Sequence, residues 1–310
     1  MTEELFIPAD KYVLTLSGQA APAARARQNA PISFETRDCF SNSLTTEADL
    51  FTKVGWDRIN PATGPVFIEG AEPGDILKIS ILDIEVAETG VITAAPGFGA
   101  MPETVAEVTR LVRVEGGRAC FNWPRAEGRT LRRELPIRPM IGVIGVAPAN
   151  GQTVPTGTPD RHGGNMDCQR LVRGAVLYLP VFVPGALLAL GDLHAVMGDG
   201  EVVVCGLEIA GRVTISCQAL KNVKIPPPFL AEGDEVMTLA SAATLDEAAA
   251  LAVLNMQSFL TGELKLDPTA AAMLMSVEGQ LRICQIVDPL RTARMEVPRA
   301  VLEACGYRLP

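Results

Sequence analysis

The chain is predicted to fold as a mainly β body of sandwich and barrel type over residues 1–225, followed by a smaller α+β part over residues 226–310. Three observations lead there. Short aliphatic and β-branched runs recur through the first part, Gly and Pro turn signals separate them, and no long amphipathic helix is visible before residue 240.

Taken in order, Ile76–Ile84 has a strand's composition and partial alternation, and Arg110–Val114, Met140–Val146, Val176–Val183, Val202–Leu207 and Val213–Cys217 read the same way. Glu72-Pro73-Gly74-Asp75 and Gly198-Asp199-Gly200 are turn signals between them. The stretch from Gly174 to Gly191 carries no charge and approaches the length of a membrane span. Pro180, Pro184 and Gly185 would break a helix there, so two buried strands joined by a Pro-Gly turn are expected. Pro226-Pro227-Pro228 marks the boundary. Beyond it, Thr244-Leu245-Asp246-Glu247 is a capping-box start for a helix to about Leu260. Asp267-Pro268 opens a second helix to about Val277, Leu281–Val287 reads as a strand, and Pro298–Cys305 as a short helix ending at Gly306.

The 310 residues are 48% hydrophobic and 20% charged, the composition of a globular protein. A net charge of −9 with no Lys/Arg run argues against nucleic acid or an anionic membrane as partner. The start, Met1-Thr2-Glu3-Glu4, lacks the features of a signal peptide. Seven scattered cysteines with no C-x-x-C pair fit reduced, buried thiols in a cytoplasm.

Both histidines lie in one glycine-rich, acid-rich stretch. Imidazole is the side chain best suited to act as a neutral metal ligand or a base near pH 7. In Asp192-Leu193-His194, strand spacing would place the acid and the imidazole on one face. His162-Gly163-Gly164-Asn165-Met166-Asp167 offers backbone N–H groups of Gly163 and Gly164 for an oxyanion, the Asn165 amide for a carbonyl substrate and Asp167 as a metal ligand; a plain Gly-Gly hairpin is the simpler reading of this segment alone. Asp199, in an Asp-Gly signal, reads as structural. Glu208 ends an uncharged run, so a buried carboxylate and candidate general base is expected, or else a structural ion pair. Glu69, after Val66-Phe67-Ile68, is a second candidate buried acid, and Asp38 follows a short strand and could face a cleft. Cys39 and Cys168, each beside an aspartate, are the only nucleophile candidates worth keeping. Few aromatics near these segments, and the small residues Gly163, Gly164, Ala195 and Gly198, suggest a small pocket.

The order of the segments is more specific than any one of them. Asn60-Pro61-x-Thr63-Gly64-Pro65, Glu69-Gly70-Ala71-Glu72-Pro73-Gly74-Asp75, Pro96-Gly97-Phe98-Gly99, Gly142-Val143-Ile144-Gly145-Val146-Ala147, Gly163-Gly164-Asn165-Met166-Asp167, Tyr178-Leu179-Pro180-Val181, Pro184-Gly185-Ala186-Leu187 and Gly191-Asp192-x-His194-Ala195-x-x-Gly198-Asp199-Gly200-Glu201 together resemble the acetamidase/formamidase family. The resemblance implies a mainly β body with jelly-roll and barrel elements. It implies hydrolysis of a short linear amide to carboxylate and ammonia, a cytoplasmic homo-oligomer, and a divalent metal, zinc by preference. Asp167, Asp192 and His194 carry over as site residues; Asp38 and His162 as further metal ligands, and Glu208, Glu69 and Asn165 as catalytic groups, rest on their own chemistry. Met197 stands where many members carry Gln. The alternatives are a Cys-nucleophile amidase and a catalytically weakened small-ligand-binding protein of the same fold.

Overall fold

The computed structural model describes residues 4–310, so the reading of Met1-Thr2-Glu3 lies outside it. Alternation builds the first layer. In the strand Ile76–Val86, Leu77, Ile79 and Ile81 point inward, and in Gly211–Leu220 so do Val213, Ile215 and Cys217. The two strands pair antiparallel with Ile81 opposite Ile215 and Ile79 opposite Cys217, and Pro31–Thr36 adds Phe34 opposite Val213. These cross-strand pairs of β-branched and aromatic residues are the unit of sheet stability.

That sheet has nine strands. Its order runs Leu5–Ile7, Pro31–Thr36, Gly211–Leu220, Ile76–Val86, Val176–Pro180, Phe229–Glu232, Glu235–Ala242, Arg291–Pro298, Gln280–Gln285. A second sheet carries Leu188–His194 at its centre, paired with Met140–Gly145, Ala62–Ile68 and the short Glu208–Ile209. Inward side chains of both sheets, Ile32, Phe34, Ile79 and Ile215 from one and Val66, Ile141, Leu188 and Leu190 from the other, share one core. The protein is thus mainly β, with a small α+β part at the C-terminus.

Helix α1 (Leu245–Gly262) starts with the expected capping box: the Thr244 side chain accepts from the Glu247 N–H, and the Glu247 carboxylate accepts from the Thr244 N–H. Asp267 caps α2 (Pro268–Val277), and α3 is Arg299–Ala304. Ala252, Met256, Phe259 and Leu260 of α1 pack with Phe229, Val236, Met295 and Val297 in a second core on the end of the nine-stranded sheet.

Past the triple proline, Phe229–Glu232 pairs with Val176–Pro180, so the C-terminal part continues the same sheet. The uncharged stretch does form two buried strands, Val176–Pro180 and Leu188–His194, joined by a turn at Pro184–Leu187; they belong to different sheets, so the turn carries the chain across the sandwich. One expectation changes: Val202–Leu207 is not a strand; positive φ at Glu201 (47°) and Val204 (152°) breaks the extended run, and pairing resumes only at Glu208. No helix among the described residues is long and apolar enough to cross a membrane.

Candidate active site

His194 ends the central strand with its imidazole buried, and carboxylates from four segments converge on it. Its Nε2 lies 2.9 Å from Glu208 Oε1, 3.5 Å from Asp192 Oδ1, and 3.8 Å from both Asp167 Oδ1 and Glu201 Oε1. His194 and Glu208 are direct cross-strand partners, which fixes their contact. Asp288 joins from the C-terminal part, its Oδ2 accepting from Asn165 Nδ2 at 2.9 Å. All six groups are buried or, for Asp288, nearly enclosed among the other acids.

The backbone is bent to achieve this. Asp167, Asp192 and Glu201 all adopt left-handed φ, 42°, 57° and 47°. Each such residue costs on the order of 1–3 kcal/mol, and strain of this kind gathers at functional sites. Asp192 sits opposite Gly142 at a gap in the pairing of Met140–Gly145 with Leu188–His194. A Cβ on Gly142 would lie 2.5 Å from Asp167 Oδ1 and from Asp192 Oδ2, so glycine is what admits both carboxylates. Gly142→Ala should therefore cost about 1–3 kcal/mol of stability through overpacking and push the two acids apart; chemical denaturation reads the first effect and metal content the second. An alanine variant as stable as the parent would contradict this packing.

The electrostatics are one-sided. The ion pairs of Asp167, Asp192, Glu201 and Glu208 among the described residues all run to His194, and none to Lys or Arg. Two unit charges 4 Å apart repel by about 4 kcal/mol at an effective dielectric of about 20, so the acids cannot all be ionised on their own. Burial and the Asp192 charge push Asp167 up to about 7. Burial, with the Asp192 charge adding to it, pushes Glu208 up to about 8 against the pull of His194. Glu201 and Asp288 are raised well above the carboxylate range by burial and by the Asp167 charge. Burial opposes charge on His194, but Glu208 and Asp192 outweigh it and hold its pKa well above the ordinary value. Five oxygens in this space, both of Asp167 and one each of Asn165, Asp192 and Glu208, are buried without a hydrogen-bond partner.

The candidates from sequence sort cleanly. Asp167, Asp192, His194, Glu208 and Asn165 come together. Asp38 is beside them, near enough to Asp192 to feel its charge, but its Oδ1 accepts the N–H groups of Phe40 (3.0 Å) and Asn42 (2.7 Å), so it holds a turn. His162 is buried elsewhere, with Asp160 as the charge it feels. Glu69 is exposed at a strand end, because Ile68 is the last inward residue of Ala62–Ile68. Gly163 and Gly164 are in a buried strand, and the Gly163 N–H donates to the Asp160 carbonyl, so it is not free for an oxyanion. Their left-handed φ (89° and 88°) serves close packing, since a Cβ would strike the carbonyls of Ile144 and Thr158. Cys39 has its Sγ beside Asp192 and Glu208, and burial together with those charges drives its thiol well above the ordinary value, which makes it a poor nucleophile. Cys168 is fully buried.

Glu201 and Asp288 went unread. Glu201 directly follows a turn signal, and Asp288 lies eighty or more residues from the rest, just past an expected strand. The Gly-Asp-Gly-Glu acid at the head of an uncharged run was the available signal for Glu201. The Gly198-Asp199-Gly200 turn is closed by the Glu201 N–H donating to the Gly198 carbonyl, and Asp199 is structural as expected, pairing bidentately with the buried Arg294 at 2.7 and 2.8 Å.

The acids Asp192, Glu201, Glu208 and Asp288, with Asn165, form the floor of a cavity of about 620 Å3. A two-sheet β protein with an enclosed carboxylate–imidazole cluster opening into such a cavity is built as a small-molecule site. The Acetamidase/Formamidase family profile matches residues 19–151 and 145–304, and the chain belongs to that family. It is similar over nearly its whole length to the crystal structure of an acetamidase from Bacillus halodurans, at 43% identity and a TM-score of 0.92, covering 97% of this chain and 100% of that one. A second solved structure, a recombinant predicted acetamidase/formamidase from Thermoanaerobacter tengcongensis, is 41% identical with a TM-score of 0.92 and 99% of each chain covered. A formamidase of Methylophilus methylotrophus is 27% identical over 217 residues, 53% of each chain. The chain spans about half the length of the curated relatives it matches.

Proposed function

We propose that this chain hydrolyses the carbon–nitrogen bond of a carboxamide, giving a carboxylate and ammonia, at a centre that holds a divalent cation. The observation that carries the cation is the set of buried, partnerless carboxylate oxygens around a single imidazole, with no Lys or Arg paired to them among the described residues. Such acids need protons or a cation. The donors fit: Asp167, His194 and Glu201 each offer an atom within 4.8 Å of the others, and Asp192 and Glu208 do the same with Cys39. Asp167, His194 and Glu201, with Asp192, are the residues we assign to hold the ion, and an imidazole among carboxylates suits zinc. When bound, the ion supplies Lewis acidity and makes a water acidic enough to be a nucleophile near neutral pH.

The remaining work falls to the chain. Asn165 is oriented by its bond to Asp288, which leaves its Oδ1 to accept from the substrate's amide N–H. Glu208, bonded to the Gly206 N–H and in contact with His194, keeps Oε2 without a partner at the cavity floor. There it takes the proton of the attacking water and returns it to the nitrogen as the carbon–nitrogen bond breaks, so that ammonia leaves neutral. His194 is held from the other side by Met197, whose Sδ is 3.2 Å from Nδ1. The family relationship and the acetamidase and formamidase names of its relatives support the reaction class.

Ammonia release from acetamide and formamide tests this. Activity should disappear on chelation and return on adding zinc, and chelation should lower stability, by about 2.7 kcal/mol where the free ion had stood at a hundred times its Kd. Full activity in metal-free protein would remove the ion from the reaction, and no ammonia from any amide would remove the reaction itself. The homo-oligomer implied by the family belongs to the same proposal, and sedimentation velocity tests it.

A further inference from the structure

The cavity is far larger than the smallest amides need. Acetamide displaces roughly 90 Å3, about three waters at about 30 Å3 each, against about 620 Å3 here. A volume in the range of about 300–1,000 Å3 is that of sites for larger organic ligands. Its upper wall is aromatic, contrary to the small pocket the sequence suggests. Phe40, Phe51, Trp56 and Phe98 all line it. They form one edge-to-face cluster: Phe51 lies 5.7 Å from Phe40, 5.9 Å from Trp56 and 5.0 Å from Phe98, at interplanar angles of 67°, 90° and 83°. The cluster sits on a small core of its own, with Leu44, Val91, Ala95 and Cys205, separate from the main sandwich core. It is supplied by the loop and 3-10 turns around Phe51–Lys53 and Trp56–Arg58 and by the loop carrying Phe98, all lining the same cavity as the acids.

We infer that the substrate is an amide bearing an aryl or comparably broad apolar group, seated on Phe51, Trp56 and Phe98 while its carboxamide reaches the acid floor. This rests on the hydrolytic reading above and names its substrate class. The same lining holds the acids and these rings, so one ligand can meet both. Trp56 is 68% exposed and lines the cavity, where an incoming ring gains offset or edge-on contact. The one arginine on the lining, Arg291, already donates to the carbonyls of Asp288 and Pro289, so it is not free to pair with an anionic substituent. A neutral aryl amide is the class that these walls recognise.

The test compares kcat/KM for phenylacetamide and acetamide in the parent, in Trp56→Ala and in Phe98→Ala. Phenylacetamide should be preferred by the parent by about tenfold or more, and each variant should lose about tenfold of that preference, chiefly through KM. Acetamide preferred over phenylacetamide by the parent would overturn the inference while leaving amide hydrolysis standing. If the parent hydrolyses neither, the hydrolytic reading has failed, and calorimetric titration with phenylacetamide decides the subsite: saturable binding weakened in Trp56→Ala upholds it, and no binding overturns it. Because Trp56 is largely exposed, its alanine variant keeps the fold.

Discussion

Replacing His194 with alanine is expected to lower amide hydrolysis by at least about 10²-fold, because the protein loses the imidazole that holds its ion and with it the acidified water. The single imidazole touches four carboxylates at 2.9–3.8 Å. Without it the acids lose the only basic side chain paired to them among the described residues, and the set is left with oxygen donors alone. Steady-state ammonia release and elemental analysis of the variant measure the two effects together. His162→Ala is the counterpart: His162 lies outside the cluster, so its loss should leave metal content unchanged. A His194→Ala protein that retains both ion and turnover would show that the cluster is structural.

The largest stability effect is expected at Arg294. Its side chain is 3% exposed, yet it donates to both oxygens of Asp199, to Glu296 at 2.7 Å and to the Ile283 carbonyl at 3.1 Å. Arg294→Met removes the cation and leaves two acids without their partner. Breaking a buried pair from one side costs about 3–5 kcal/mol, or roughly 10 °C in Tm for a chain of this size. The damage should also reach the site. Asp199 stands two residues before Glu201, the Gly200 N–H donates to the Cys284 carbonyl, and Gln285 Oε1 accepts the N–H groups of Val287 and Asp288. Arg294 therefore ties the C-terminal strands to two of the five acids, and the variant should bind the ion more weakly as well as melt earlier. Chemical denaturation and metal titration check the pair of outcomes; a loss under about 1 kcal/mol would mean that solvent takes over both acids.

How far the sequence carries can be seen residue by residue. Local chemistry was legible: the Thr244–Glu247 box and the Asp267 cap start their helices where expected, and Ile76–Ile84 and Val213–Cys217 lie inside observed strands. Strands Glu235–Ala242 and Arg291–Pro298 were missed; the second carries the charged Arg291, Arg294 and Glu296, which read as surface, whereas Arg294 and Glu296 are buried against each other. At the site, Asp167, Asp192, His194 and Glu208 were visible because imidazole is scarce and an acid in an uncharged run needs a partner. Asp192 owes its position to more than its two-residue spacing from His194. Alternation along a strand does not place it, since its left-handed φ departs from strand geometry, and Gly142 opposite makes the room. Asp288 could not be read at all, because only the pairing of the C-terminal strands into the main sheet delivers it. Glu69 failed for the converse reason: an acid after an uncharged run starts a buried mid-sheet strand at Glu208 but reaches solvent past the end of Ala62–Ile68.

Anomalous scattering from a crystal of the purified protein, recorded at the absorption edge of whatever metal elemental analysis detects, tests the central claim most directly. The expected result is one strong peak among His194 Nε2, Asp167 and Glu201, in protein that releases ammonia from amides. Crystals of fully active protein with no peak there, and with those carboxylates hydrogen-bonded to one another through protons or water instead, would contradict it.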